Sequence, residues 1–381
     1  MSGPLEGVRV LDLTRLLPGP FATQLLLHYG ADVTKVEDTG AGDYARDLKP
    51  LPASGFGAAF TASNRGKRSV AIDLKQPGGI EEFLSMVDQA DVLVESFRPG
   101  VMDRLGVGWD VLSARAPTLI YCAITGYGQR TAQSRLAGHD LNYQGQAGLL
   151  FREGANPVMP TALVGDLVGG SLCAVIAIQA ALLERQKTGR GSFVDLSITH
   201  SALMLNALNA AHHLGGGNAA AARARYDGSS PRYRTYQTAD ARHVTMAALE
   251  PKFWDRFCEL AGCPDLSSKH GGDLALDAAV AGRLETIFRS RTLEQWMQVA
   301  PEWDVCIGPV LSPEEAIDDA MSQGLPLFAR FPGPAGEACA LIGAPADLAR
   351  AAPAPCPPAP RHGEHNFGLV HSSTKAHHGN T

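Results

Sequence analysis

The chain has no surplus of positive charge. Its 33 Lys and Arg stand against 39 Asp and Glu, a formal charge of −6, and no long basic run occurs. That balance argues against nucleic acid or an anionic membrane surface as the main partner. Paired cysteines are lacking too. The seven present are scattered with no C-x-x-C, which argues against a zinc cluster or a disulfide framework, and no metal site is expected. The most apolar stretch, Ser171 to Leu183, is interrupted by Gln179 and is shorter than the roughly 20 residues that span a bilayer. No basic-then-apolar leader opens MSGPLEGVRVLDLT, so the expectation is a soluble, cytoplasmic protein. Common chemical signatures are also missing: no G-x-G-x-x-G follows the first strand, and G-x-x-x-x-G-K-[ST], G-x-S-x-G and H-E-x-x-H do not occur. No evident dinucleotide, nucleotide-triphosphate, serine-hydrolase or zinc-protease site is therefore present.

What is there describes an ordinary globular chain: 381 residues, 45% hydrophobic and 19% charged. At about 150 residues per domain, two domains or one large body with a lobe are expected. Strand-like segments at Val8–Leu13, Ala31–Glu37, Arg68–Leu74, Asp91–Glu95 and Thr118–Thr125 alternate with helical ones, including a stretch from Pro18 and another over Pro77–Ala90. Such alternation predicts an α/β fold with a parallel, Rossmann-like open sheet flanked by helices. Asp166–Arg185 reads as a buried helix, Phe193–Ile198 as a strand and Thr199–His213 as a helix. Residues 1–200 are assigned to the large domain, 201–230 to a linker helix and Gly-rich loop, and 231–324 to a smaller α+β domain. The segment 325–371 is expected to rejoin the large domain, and 372–381 to fray.

Polar residues at strand ends are candidates for chemistry, since ligands of open α/β sheets bind beyond the carboxyl ends of the strands. His139 and Asp140 follow Gly138 after the last strand of the first half. Asp166 opens the apolar helix and could be only its N-cap. Glu250 precedes Pro251 and could be only a helix-start acid. A lone His139 could likewise be only a turn histidine.

Taken together, GVRVLDLTRLLPGPFATQLL, GADVTKVE, NRGKRSVAIDLK, ADVLVESFRPGVMDRLG, LIYCAITGYGQ, RLAGHDLNY, LVGDLVGGS, TGRGSFVDLSI and PRHGEHN resemble the family III CoA-transferase (CaiB/BaiF-type) fold. Within it the chain is most similar to the α-methylacyl-CoA racemases. The resemblance implies an interlocked homodimer acting on acyl-CoA, with no cofactor beyond the CoA carried by the substrate thioester. It assigns His139 and Asp166 as the two acid/base groups, with Glu250 facing the histidine across the dimer. Ile72, Asp73, Leu74 and Lys75, then Ser96, Phe97, Arg98, Pro99 and Gly100, would form the CoA groove with Ala137 and Tyr143. In the racemases an Arg-Pro after the second strand meets the nucleotide. Here the chain reads Val36-Glu37-Asp38-Thr39-Gly40, so that contact is expected to be missing or to pass to Arg46 or Lys35. Lys67 and Arg68 are expected to add positive potential.

Inverting a carbon beside a thioester carbonyl needs one group to accept a proton and another to donate one from the opposite face. Backbone N–H groups around Gly138–Asp140 would stabilise the enolate oxygen, with Asp140 itself positioning the loop. Gly169 and Gly170 would leave room for a substrate chain. Two alternatives stand beside this reading. One is a transferase in which Asp166 attacks the acyl-CoA; the other is an idle CoA-binding protein.

Overall fold

Short aliphatic and β-branched runs, buried on both faces, build the central sheet. Its strands are β1 (Arg9–Leu13), β2 (Asp32–Glu37), β3 (Arg68–Ala71), β4 (Val92–Glu95), β5 (Ile120–Thr125) and β6 (Phe193–Ser197). All pair in parallel, in the order β3-β2-β1-β4-β5-β6. Every residue of β4 and β5 is buried, as expected of parallel strands covered by helices on both sides. The computed structural model describes residues 3–49, 51, 57–152, 156–267, 274–324, 328–332, 338–342 and 357–366.

Helices fill both faces. On one, the helix Pro18–His28 and the helix Cys173–Thr188 pack over β1, β4 and β5, with Leu25, Leu26, Ala174 and Ile178 against Val10, Val92 and Ile120. On the other, Phe83 and Val87 of the helix Pro77–Val87 meet Leu11, Val70 and Leu93. Pro18 and Pro77 each stand at a helix start, where the missing N–H costs nothing and φ is already set.

Two helices differ from their sequence reading. The apolar run Ser171–Leu183 lies inside a continuous helical stretch, Gly165–Thr188, whose 24 residues are long and apolar enough to cross a membrane by length and composition. Its first part, Gly165–Leu172, is a π-helix. Ala174, Val175, Ile178, Ala181 and Leu182 bury its inner face in the core, while Ile176 and Leu183 are 64% and 60% exposed. The expected Thr199–His213 helix is broken into Ile198–Leu203, a 3-10 turn at Met204–Asn206, and Ala207–Leu214.

The chain divides into two units, one of Met1–Phe151, Val158–Asn206 and Ala320–Thr381, the other of Arg152–Pro157 and Ala207–Asp319. In the first, β10 (Phe328–Pro332) and β11 (Ala338–Ile342) form an antiparallel pair, and residues 357–366 return to the outer edge of β3. There the N–H of Ser69 donates to His365 Nδ1 at 3.1 Å, and Asn366 exchanges two hydrogen bonds with the backbone of Ala71. The second unit carries the antiparallel sheet β7 (Arg234–Gln237), β8 (His243–Met246) and β9 (Ile307–Pro309). Its own core stacks Phe257 on Phe288 at 5.5 Å, with Trp296 tilted against Phe288 at 5.1 Å. Each buried indole donates to a carbonyl, Trp254 to Leu266 and Trp296 to Phe288.

Candidate active site

Strand order reverses between β1 and β4, so the crevice beyond their carboxyl ends is the place where such sheets bind ligands. The loop after β1 is braced from below by buried charge. Asp12 accepts from the N–H of Thr14 at 2.9 Å and from Lys67 Nζ at 2.9 Å, and Lys35 Nζ meets both Asp43 at 2.8 Å and the Thr14 carbonyl at 2.8 Å. Burial alone would raise the Asp12 carboxyl, but Lys67, Lys35 and hydrogen bonds from Thr14 and Lys67 hold it far below the usual carboxylate range. Leu16 is held at φ +66°, a left-handed conformation that costs a non-glycine residue energy unless its surroundings impose it.

Beyond β5 the chain reaches His139, which is exposed and stands at the N-cap of the helix Asp140–Gln146. Its backbone N–H donates to Asn142 Oδ1 at 3.0 Å. Of the three amides expected to face an enolate, only those of Gly138 and Asp140 thus remain without an acceptor among the described residues. A side chain cannot replace the hydrogen of Gly138, because a Cβ there would lie 2.7 Å from the Tyr127 hydroxyl and 2.7 Å from the Tyr143 ring. Tyr143 donates to the Gly138 carbonyl at 2.5 Å and meets Tyr127 edge-on at 5.3 Å. Burial and the negative charge of Asp166 push the Tyr143 phenol up to about 12.

Asp140 is buried and accepts the backbone N–H of Asp166 at 2.8 Å, while its other oxygen accepts from the Gln144 amide. Asp166 is the second residue of the π-helix, not its N-cap. Such helices recur at functional sites because the widened turn displaces a side chain from regular α-helical register. The Asp166 carboxyl is pushed up to about 6, first by burial and then by Asp140, with His139 pulling it back. Hence the structure brings His139, Asp140, Asp166, Gly138 and Tyr143 together. Gly169 and Gly170 do not leave room for a substrate. A Cβ on the first would lie 2.8 Å from the Ile198 carbonyl and on the second 2.8 Å from Pro18, so both spaces belong to neighbouring backbone and side chain.

The residues expected to hold CoA follow β3 and β4. Ile72 is buried in the core, Asp73 caps its own turn by accepting from the N–H of Lys75 at 3.0 Å, and Lys75 is exposed. Ser96 accepts the backbone N–H of Arg15 at 3.3 Å, Phe97 and Pro99 are half-buried, Arg98 and Ala137 are exposed, and Gly100 turns the chain at φ +79°. The bases expected to take the missing arginine's place or to add positive potential are otherwise engaged. Arg46 is buried on Glu37 at 2.6 Å, Lys35 is buried on Asp43, and Lys67 is buried on Asp12. Arg68 sits at the opposite, amino end of the sheet, paired with Asp32.

Sequence reasoning passed over two residues here. Arg15 follows β1 as directly as Arg98 follows β4, and its Nη2 meets Asp38 at 2.5 Å while Nη1 meets the Tyr44 hydroxyl at 3.2 Å. Its guanidinium also lies 5.3 Å from the Tyr44 ring and 5.7 Å from the Phe97 ring. Glu95 ends β4 and accepts the N–H of Phe97 at 2.6 Å; burial pushes its carboxyl up to about 8. Glu250 belongs to the second unit, where it is exposed at the N-cap of the helix Pro251–Leu260.

The sequence model described as CoA-transferase family III matches residues 5–366. The α-methylacyl-CoA racemase of Homo sapiens is 33% identical over 82% of this chain and 79% of its own length. Succinyl-CoA:glutarate CoA-transferase of Mus musculus is 38% identical over 69% of this chain and 61% of its own. In three dimensions the chain is similar to a CaiB/BaiF family protein from Brucella suis, with a TM-score of 0.82 and 26% identity, covering 97% of this chain and 99% of that one.

Proposed function

Because the chain belongs to CoA-transferase family III, whose relatives here bear both racemase and transferase names, we propose that it interconverts the (2R) and (2S) epimers of 2-methylacyl-CoA thioesters. The observation that carries this reading is that His139 lies near enough to act on the Asp166 carboxyl, which burial pushes up to about 6. An epimerase needs two groups able to hold or release a proton near neutral pH, and a histidine does so with a reference value of about 6.5. A nucleophilic aspartate works as the carboxylate and has no use for an imidazole beside it.

In the first half-reaction one group removes the α-proton and the thioester becomes an enolate. The N–H groups of Gly138 and Asp140 are the donors available to the enolate oxygen, where fixed dipoles act without reorganising. In the second half the other group returns a proton to the opposite face. No group beyond the two side chains is needed for these transfers. We place the work in a homodimer. The exposed apolar residues Ile176 and Leu183 on the long helix favour burial against a second copy, and the family resemblance puts Glu250 of one chain on His139 of the other.

The second reading, a CoA-transferase working through an acyl bond to Asp166, is favoured by the succinyl-CoA:glutarate relative. One experiment separates them. Incubated in D₂O with a 2-methylacyl-CoA and no acceptor acid, the protein is expected to install α-deuterium in either epimer. His139→Ala should slow this by about 10²–10⁴-fold. Undiminished exchange in that variant sinks the assignment, and a substrate-dependent mass adduct on Asp166 turns the reading to transferase.

A further inference from the structure

We infer that Arg15 is the residue that grips a phosphate of the CoA nucleotide, with Asp38 serving only to aim it. The inference rests on the acyl-CoA reading above and names a contact that the reading leaves open. Strand β2 ends at Glu37 and is followed at once by Asp38, so its carboxyl end is acidic. The nearby bases Lys35, Arg46 and Lys67 are buried on their own carboxylates. Arg15 remains at the switch point itself, in the loop after β1 and beside the Ser96–Phe97 turn after β4.

Its geometry suits an anion. A guanidinium has five N–H donors in a fixed plane, and the contacts to Asp38 and the Tyr44 hydroxyl involve only its two terminal nitrogens. Two rings, Tyr44 and Phe97, hold the plane in place, so little side-chain freedom is left to lose on binding. Asp38 is fixed in turn: its Oδ1 accepts from the N–H groups of Gly40 at 2.9 Å and Gly42 at 3.3 Å, leaving Oδ2 on Arg15. That ion pair is partly open, with side chains 27% and 44% exposed. A pair so exposed to water is weak, and a phosphate with more charge than a carboxylate can share the guanidinium. Leu16, strained next door, fixes the backbone direction from which the side chain leaves.

The test compares wild type, Arg15→Gln and Arg15→Lys by calorimetry against CoA, 3′-dephospho-CoA and pantetheine. Arg15→Gln is expected to bind CoA at least tenfold more weakly, with Arg15→Lys between the two. Pantetheine, which lacks the nucleotide, should bind all three alike. A loss that vanishes with 3′-dephospho-CoA assigns the 3′-phosphate, and one that persists assigns the diphosphate. CoA affinity in Arg15→Gln within twofold of wild type overturns the inference alone. An equal loss of pantetheine affinity does so too, since it marks a structural role. A wild type that binds no CoA removes the acyl-CoA reading and this inference with it.

Discussion

Asp140 Oδ1 accepts the backbone N–H of Asp166 at 2.8 Å, so one carboxylate ties the histidine loop to the start of the π-helix. After burial, the nearby Asp140 charge also helps keep the Asp166 carboxyl near 6. Asp140 thereby braces the candidate acid/base pair and adds to the upward push that burial gives Asp166.

Asp140→Asn should separate the two effects. The amide oxygen can still accept from Asp166, and the Gln144 amide can turn to present its own oxygen. Removing the negative charge lowers the Asp166 pKa. In the direction where Asp166 is the base, the exchange rate rises with pH through about 6, and in the variant that rise is expected at lower pH. A limb that does not move means Asp140 acts only as a brace. Asp140→Ala, which strands a partly buried N–H, should cost about 1–3 kcal/mol in urea unfolding.

Glu95 gives a prediction for stability. Its carboxyl keeps a proton in the folded chain up to about 8, whereas 4.5 is its ordinary value. Between those pH values the unfolded chain has lost a proton that the folded chain retains. Folding stability contributed by this residue therefore falls as pH rises through that window. Glu95→Gln should flatten the fall, gaining on wild type from pH 5 to pH 8 in urea titrations. A difference between the two proteins that stays constant with pH would rule this out.

Subunit mixing tests the shared site. His139→Ala and Glu250→Ala chains, each expected to be slow alone, should regain exchange activity when refolded together, because one site of a mixed dimer holds both native residues. Mixed dimers that form and stay inactive would count against a site built from two chains.

The strands of the large sheet are legible because each is a short apolar run with turn residues at its ends; Val92–Glu95 and Ile120–Thr125 fall where the pattern puts them. The candidate pair His139 and Asp166 was legible through motif resemblance, not through periodicity. The π-helix was not, since GDLVGGSL reads equally as an α-helix. Its register answers to tertiary neighbours, with Gly169 pressed on the Ile198 carbonyl and Gly170 on Pro18. The burial of Lys67, expected to lend positive potential, and of Lys35, offered for the nucleotide contact, is illegible in the sequence for a related reason. The carboxylate that captures Lys67 lies 55 residues away, at Asp12, and no local pattern records such a partner. Arg15 follows a strand end like Arg98, yet no local pattern marks it, because its partners come from two separate connections, Asp38 and Tyr44 after β2 and Phe97 after β4.

The docking of residues 357–366 on β3 bears on how the chain is made. Ser69 waits for a partner 296 residues further on, and at about 5–20 residues per second a ribosome needs on the order of 15–60 s to supply it. Throughout that interval the nascent sheet carries a bare outer strand, the kind of edge that recruits other chains. The outer edge of the first unit is therefore covered only after residues 357–366 have been made. A chain ending before Pro360 would be released with its edge still open, and with Arg46 Nη1 deprived of the Pro360 carbonyl it binds at 2.9 Å.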